Sequence, residues 1–156
     1  MRNTTEQWTL QETLIEDLQK LLSLEKAFMM TLPLMAQSAT DAALQRELER
    51  MTHQTRDQIG RLQGTVSFSP PALVSPADNE YSRRSITEPS LLDGMLIAEM
   101  RKKQHAKIAL YSTVCLWAHQ LGLGDMERLL ALNLQEEESN CKKLLQMAHN
   151  ITQPIA

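Results

Sequence analysis

Two glutamates stand out because each interrupts an apolar helical stripe, where a charge is costly. Glu25 falls on the series 14, 18, 21, 25, 28, 32, and Glu137 falls on the series 130, 134, 137, 141, 144. Both series repeat every three or four residues, which is the spacing of one face of a helix. A buried carboxylate without a partner is strongly unfavourable. Two facing acids must therefore be protonated, paired with a cation or bound to metal.

A lysine on a third helix offers the cation. Lys107 lies on the inward series 100, 104, 107, 111, 114. Four further polar residues interrupt inward faces, namely Thr55, Gln58, Gln104 and Tyr111. The spacing predicts a buried core site in which the Lys107 ammonium lies between Glu25 and Glu137 and these four residues satisfy the remaining hydrogen bonds. In the alternative, Lys107 extends outward along its alkyl stem and Glu25 reaches solvent.

Metal chemistry is the competing use of inward carboxylates. A dinuclear iron or manganese site in a bundle needs a Glu from each of two helices and a Glu-x-x-His motif from each of the other two. The sequence contains no Glu-x-x-His motif. If metal binds, the residues available are Glu25, His53, His105 and Glu137, but the spacing puts both histidines off the inward stripes. We therefore expect no cofactor and no catalytic residue, with iron or manganese as the alternative.

The elements that position these residues are four long helices, predicted at about 9–37, 41–63, 90–121 and 125–150 in a single domain 1–156. Thr40 is a plausible N-cap of the second helix, and Pro33 is expected to kink or end the first. Residues 65–89 hold four of the six prolines and form a long connection. The pattern favours an all-α, ferritin-like four-helix bundle made of two antiparallel hairpins joined by a crossover. The alternative is an up-down bundle with a loose loop.

Composition agrees with this fold and excludes several functions. The 156 residues are 42% hydrophobic but only 4% aromatic, a bias that favours helices over sheets. A net charge of −3 does not provide the excess of positive charge that is typical of nucleic-acid-binding proteins. No apolar run approaches the ~18 residues of a membrane span. The two cysteines lack metal-ligand spacing and suit the cytoplasm, where we place the protein.

A second apolar stripe lies beside the inward one on the first helix. Trp8, Ile15, Leu22 and Met29 repeat every seven residues. An exposed apolar face of this size is usually covered by a partner. The two stripes predict either that this helix sits centrally in the bundle, or that its second face is covered by a partner, as a homodimer face or a face for an unidentified protein partner.

Residues 10–150 resemble the YciE/YciF-like branch of the ferritin-like superfamily, which are bacterial stress-associated four-helix-bundle proteins. Short motifs spread over nearly the whole chain carry the resemblance: Leu18, Glu25-Lys26, Leu32-Pro33-Leu34-Met35-Ala36, Thr55, Gln58-Ile59, Arg61-Leu62, His105, Ile108-Ala109, Tyr111, Thr113, Leu121-Gly122, Leu129-Leu130 and Leu134-Gln135-Glu136-Glu137. The resemblance implies a homodimer and, where the ligands are kept, a two-metal site in the core.

Departures from the family pattern fall on the expected metal ligands. Met51 stands where the family usually has a His, one turn before Thr55. Gln104-His105-Ala106-Lys107 replaces a Glu-His-Tyr-Glu run, so both acids of that run are lost. The resemblance thus implies a degenerate metal site.

Three functions remain open from the sequence. The leading hypothesis is a non-catalytic, metal-free ferritin-like protein that acts as a dimer in a stress-related or partner-binding role. The alternative is a divergent di-metal oxidase, peroxidase or ferroxidase that uses the remaining carboxylates. A third, storage of a small apolar ligand between the helices, is suggested only by the nine methionines.

Overall fold

The computed structural model describes the backbone of residues 4–65 and 88–151, and side chains from residue 10 onward. It contains four helices, α1 (Thr4–Ser38), α2 (Ala42–Thr65), α3 (Pro89–Gln120) and α4 (Gly124–Ile151), and these described ranges contain no strand. The four predicted helices are confirmed, with ends that differ by a few residues. Nearly all of the predicted connection 65–89 lies outside the described residues.

The helix ends bear on two sequence predictions, and the predicted N-cap of α2 was wrong. Helix α1 continues through Pro33 to Ser38, in agreement with the predicted range to residue 37, so Pro33 does not end the helix. The N-cap of α2 is Asp41 rather than Thr40, because the Asp41 carboxylate accepts a hydrogen bond from the Leu44 N–H at 2.9 Å.

The order of the helices around the bundle follows from their contacts. Helix α1 packs against α2 and α3, and α4 packs against α3 and α2, which leaves α2 and α3 on a diagonal. Asp93, near the start of α3, accepts a hydrogen bond from the Thr40 N–H at 2.8 Å, between α1 and α2. Trp117, near the end of α3, donates to Asp17 in the N-terminal half of α1 at 2.9 Å. Helices α1 and α3 are therefore antiparallel.

Antiparallel α1 and α3 fix the connectivity of the bundle. Because the short turn between α1 and α2 also makes that pair antiparallel, α2 and α3 run in the same direction. The end of α2 and the start of α3 therefore lie at opposite ends of the bundle, as a crossover between the two hairpins requires. The crossover arrangement is confirmed, and the up-down alternative is wrong.

The core consists of two apolar clusters with a polar layer between them. One cluster lies towards the α1–α2 turn and contains Leu32, Met35, Leu48, Ile97 and Leu144 among others. The other lies towards the opposite end of the bundle and contains Leu14, Leu18, Leu62, Val114 and Leu130 among others. The inward polar side chains lie between these clusters, where burial from both directions shields them from solvent.

Among the described residues, none of the helices is long and apolar enough to cross a membrane.

Candidate functional site: a buried lysine between two glutamates

Three charged side chains from three helices meet in the polar layer. The Lys107 Nζ atom on α3 lies 2.7 Å from Glu25 Oε1 on α1 and 2.9 Å from Glu137 Oε1 on α4. The exposed fraction of these side chains is 1% for Lys107, 0% for Glu25 and 1% for Glu137. We call these three residues the triad. The predicted position of Lys107 is confirmed, and its outward alternative is wrong.

Helical spacing explains why the triad forms. Glu25 lies one turn from Leu21 and Phe28, both of which are buried in the core, so its carboxylate has to point inward. Glu137 lies between the buried Asn133 and Cys141 on α4. Lys107 lies between the buried Gln104 and Tyr111 on α3. Its long stem carries the ammonium across to both acids.

An aromatic ring closes one side of the triad. The Lys107 Nζ atom lies 3.8 Å from the centroid of the Phe28 ring. A cation over an aromatic face is attracted by the ring quadrupole, and the attraction is stronger when both groups are desolvated. From its position on the inward series of α1, Phe28 is expected to be an ordinary core residue. Its place three residues after Glu25, on the same face of α1, was the signal that could have identified this contact.

Burial and charge act in opposite directions on Glu25. Burial raises the pKa of this carboxyl from 4.5 to about 7, even though Lys107 and the Tyr111 hydroxyl lower it, and the nearby Glu137 raises it further. One ammonium cannot fully compensate two carboxylates. Near neutral pH Glu25 therefore exchanges a proton, and its protonated form leaves a triad without net charge.

Tyr111 connects the triad to α4 and α2. Its hydroxyl accepts a hydrogen bond from Asn133 Nδ2 at 3.1 Å, and the same amide donates to the Gln58 carbonyl oxygen at 3.2 Å. Burial, followed by the charge of Glu25, raises the pKa of Tyr111, so its hydroxyl stays protonated. Asn133 is a site residue that sequence analysis missed. It lies one turn before Glu137, but the adjacent Leu134 also fits the stripe and obscured it.

The four predicted supporting residues are all buried, but they do not all support the triad. Thr55 donates to the Met51 carbonyl oxygen of its own helix at 2.7 Å, so its predicted role towards the acids was wrong. Gln58 donates to Glu136 at 3.4 Å rather than to the triad. Both amide atoms of Gln104 lack a hydrogen-bond partner among the described residues.

Unpartnered oxygens remain within this layer. Among the described residues, Gln58 Oε1, Gln104 Oε1 and Glu137 Oε2 are buried and have no hydrogen-bond partner. Buried polar atoms of this kind are normally satisfied by ordered water or an ion. The polar layer thus has unused acceptor capacity on three helices.

A second layer of charge lies between α2 and α4, outside the triad. Arg61 on α2 pairs with Glu136 and donates to Asn133 Oδ1 at 2.9 Å. Further along, the buried Glu47 pairs with Arg50 and with Lys143 at 2.8 Å. These pairs fix the spacing of α2 and α4, which lie at the side of the bundle opposite the α1–α3 contact.

The alternative metal-ligand set is not brought together. His53 is exposed on α2, whereas Glu25 is closed to solvent. His105 is also exposed, and its Nε2 atom lies 3.6 Å from Cys141 Sγ. Only Glu25 and Glu137 of the four residues approach each other, and the ammonium of Lys107 lies between them.

The donor set does not fit a di-iron or di-manganese centre. The described part of the chain has no group of three or more His, Cys, Asp and Glu side chains that could hold a metal ion. Lys107 is a cation with no lone pair while it is charged, and it already contacts one oxygen of each inward acid. Divalent ions of this type need more carboxylate and imidazole ligands than remain.

The predicted dimer stripe is not a continuous exposed face. Leu22 is 7% exposed and packs in the core, because its position on α1 lies next to the inward series. Ile15 is exposed and Met29 is half-buried. The side chain of Trp8 lies outside the described residues. Leu22 was therefore wrongly assigned to that face. Elsewhere on α1, Met30 and Leu34 are each 53% exposed.

The fold and the triad together define a class: a ferritin-like four-helix bundle with an ammonium among its inward carboxylates. Sequence comparison then identifies the family. The profile of the domain of unknown function DUF892 matches residues 9–69 and 72–156, and the chain belongs to that family.

Individual relatives agree with this assignment. Protein YciF of Escherichia coli is 26% identical over 154 residues, which cover 91% of this chain and 92% of the relative. The crystal structure of the E. coli stress protein YciF superposes with a TM-score of 0.80 at 24% identity, covering 93% of this chain and 98% of YciF. YcfI of Rhodopseudomonas palustris superposes with a TM-score of 0.79 at 28% identity, covering 87% and 92% of the two chains.

Proposed function

We propose that the protein is a non-catalytic, metal-independent member of its family, in which the Lys107 ammonium takes the place of metal ions in the bundle core. The observation that carries the proposal is the pair of contacts from Lys107 Nζ to Glu25 and Glu137, at 2.7 and 2.9 Å. A fixed cation neutralises inward acids without any external ligand. The core of the bundle then needs no metal ion to balance its inward acids.

The composition of the triad supports a structural role rather than a catalytic one. The side chains of Lys107, Glu25 and Glu137 are closed to solvent, and the Phe28 ring covers the ammonium. A general acid or base must come within hydrogen-bond reach of a substrate. Apolar clusters close the layer from both ends of the bundle. The role of the protein then lies at its surface.

The biological setting is proposed from the relatives. YciF of E. coli is named a stress protein, and it shares the fold over almost the full length of both chains. We place this protein in a stress-related, partner-binding role in the cytoplasm. No nucleic-acid or membrane partner is proposed, since the net charge is −3 and no described helix could span a membrane.

Dimer formation belongs to the same proposal, on a corrected face. Met30 and Leu34 lie one turn apart on the outward side of α1, and both are half exposed. Ile15 lies further towards the N-terminus of that helix. A second copy packed on α1 would cover these side chains without disturbing the core residue Leu22.

Anaerobic calorimetric titration with Fe²⁺ and Mn²⁺ tests the metal-free proposal. We expect no saturable binding to the wild-type protein and no metal-dependent oxidase, peroxidase or ferroxidase activity. Lys107→Glu is the informative variant, because it adds a carboxylate beside Glu25 and Glu137 and should introduce divalent-cation binding. Lys142→Met, on the exposed side of α4, is the matched control and should behave as wild type. Stoichiometric binding to the wild-type protein would refute the proposal.

A divergent di-metal oxidase, peroxidase or ferroxidase is the second candidate. It is favoured by the unpartnered buried oxygens Gln58 Oε1, Gln104 Oε1 and Glu137 Oε2, which lie on three different helices. These oxygens could join Glu25 around a cation only if Lys107 left the core. Saturable metal binding in that titration, followed by oxidation of the bound Fe²⁺ when dioxygen or hydrogen peroxide is then added as the oxidant, would support this candidate.

A further inference from the structure

A pocket of about 260 Å³ opens between α1 and α3 beside the triad, and Lys107 is the one triad residue among its lining residues. Leu24, Ala27, Phe28 and Thr31 form its α1 wall, and Ala106 contributes from α3. All of these but Thr31 are apolar, and the Thr31 hydroxyl donates to the Ala27 carbonyl oxygen of its own helix, so the pocket favours a ligand with a hydrophobic body. We call it the α1–α3 pocket.

The charges at the α1–α3 pocket are not balanced. Lys102 lies 3.1 Å from Glu99, so these two lining residues compensate each other. Lys107 also lines the pocket, but its ammonium is held by Glu25 and Glu137 in the core. Lys103 is half-buried and has no ion-pair partner among the described residues. One positive charge therefore remains for a ligand.

Size restricts the ligand further. At roughly 30 Å³ per water-sized unit, 260 Å³ corresponds to a body of about nine such units. This is below the range of ~300–1,000 Å³ that is typical of drug-sized pockets. It is also too small for a long acyl chain folded inside it.

We propose that the α1–α3 pocket binds a small amphipathic carboxylate, such as a medium-chain or aromatic acid. The hydrocarbon body lies against Leu24, Ala27 and Ala106, and the carboxylate pairs with Lys103 at the rim. The proposal goes beyond the metal-free function and does not depend on it, since no triad side chain binds the ligand. It differs from storage of a purely apolar ligand, because the charge contributes to recognition.

Phe28 connects the pocket to the triad. Its ring lines the pocket and also lies 3.8 Å from Lys107 Nζ. A bound hydrocarbon body would contact the Phe28 ring. Ligand binding therefore gives a local signal at Phe28 that can be followed by NMR, even though the triad itself stays closed.

Titration with octanoate tests the proposal, with 1-octanol as an uncharged match of the same chain length. We expect octanoate to bind more tightly than 1-octanol to the wild-type protein, with shifts of Phe28 and Ala106 resonances. Lys103→Met should weaken octanoate binding roughly tenfold, as for the loss of one charge-assisted contact, and leave 1-octanol binding unchanged. Lys142→Met should match the wild-type protein.

A second variant locates the site. Ala106 is exposed at the pocket, so Ala106→Trp fills the pocket without entering the core, and it should abolish binding of both probes. Three results would overturn the proposal: no octanoate binding at millimolar concentration, equal affinity for octanoate and 1-octanol, or unchanged binding to Ala106→Trp. Each can occur whether or not the protein binds metal, so failure here is distinguishable from failure of the proposed function.

Discussion

The Lys107 ammonium and the Glu25 carboxylate lie 2.7 Å apart at the centre of the bundle, and both side chains are closed to solvent. Neither group would be stable there alone, because a buried charge without a partner is strongly unfavourable. Glu137, 2.9 Å from the same ammonium, makes the arrangement asymmetric, with two acids for one base. Two consequences can be tested, one for stability and one for its pH dependence.

Replacement of Lys107 by methionine should be strongly destabilising. Lys107→Met retains the apolar stem but leaves Glu25 and Glu137 buried without a cation, which is expected to cost about 3–5 kcal/mol in the free energy of unfolding. Urea denaturation measures the loss. Lys142→Met, at an exposed position, should stay within about 0.5 kcal/mol of wild type.

Removal of all three charges separates loss of the pair from loss of packing. The triple variant Glu25→Gln, Lys107→Met, Glu137→Gln should regain most of the stability lost in Lys107→Met, since no unpaired charge remains. If Lys107→Met alone were as stable as wild type, the ammonium would not be the partner that the two acids require.

Stability should decrease as the pH rises towards neutrality. The folded-state pKa of Glu25 is raised from 4.5 to about 7, so between these values the folded protein binds more protons than the unfolded chain does. The contribution of Glu25 is most favourable below pH 4.5 and is lost as the pH rises through 7. Glu25→Gln should flatten this part of the curve, measured by urea denaturation at a series of pH values.

A second carboxylate acts in the opposite direction at lower pH. Burial would raise the pKa of Glu47, but hydrogen bonds from Arg50 and Lys143 outweigh it and lower the pKa below 4.5. Its stabilisation is therefore present above pH 4.5 and is lost as the pH falls below that value. The two windows do not overlap, so a Glu25→Gln curve that still declined steeply between pH 4.5 and 7 would contradict the assignment to Glu25.

Asp93 should contribute more to the free energy of unfolding than a carboxylate whose partners all lie on its own helix. Its carboxylate accepts hydrogen bonds from the Thr40 N–H, the Thr40 hydroxyl and the Asp41 N–H at 2.7–2.9 Å, and it is buried at the end of the bundle. Asp93→Ala should cost about 2–3 kcal/mol, because it leaves these donors without their charged acceptor. Thermal unfolding checks this. Asp57→Ala, at an exposed position on α2, serves as the control and should have little effect.

Leu22 distinguishes the core from the dimer face. Leu22→Ala should cost about 2–5 kcal/mol, as expected for a buried leucine, without changing the oligomeric state of the folded protein. The double variant Met30→Glu, Leu34→Glu should instead shift the proposed dimer to monomer with little loss of unfolding free energy. Sedimentation velocity measures the oligomeric state, and urea denaturation measures the free energy of unfolding. A dimer that survives the double variant would place the interface elsewhere.

The parts of the site that depend on one helix at a time could be predicted from the sequence. Glu25, Lys107 and Glu137 each interrupt an apolar stripe, and a charge at such a position has a strong local signal. Their meeting could be predicted because opposite charges in one core must pair.

The contacts between residues of two different helices were harder to predict from the sequence. Asp93 reaches across to Thr40 through the packing of α3 on the α1–α2 turn, and no spacing within α3 indicates this. Asn133 competes with its neighbour Leu134 for the same stripe, so periodicity alone cannot choose between them. Leu22 was assigned to the outside because it lies beside the inward series rather than on it. Helix α1 buries more than a single stripe of side chains, and Leu22 is among them.

X-ray data collected at the manganese edge from crystals soaked in Mn²⁺ test the central claim most directly. The account predicts no anomalous peak between Glu25 and Glu137, with the Lys107 ammonium in contact with both carboxylates. An anomalous peak ligated by Glu25 and Glu137, with Lys107 turned out of the core, would contradict it.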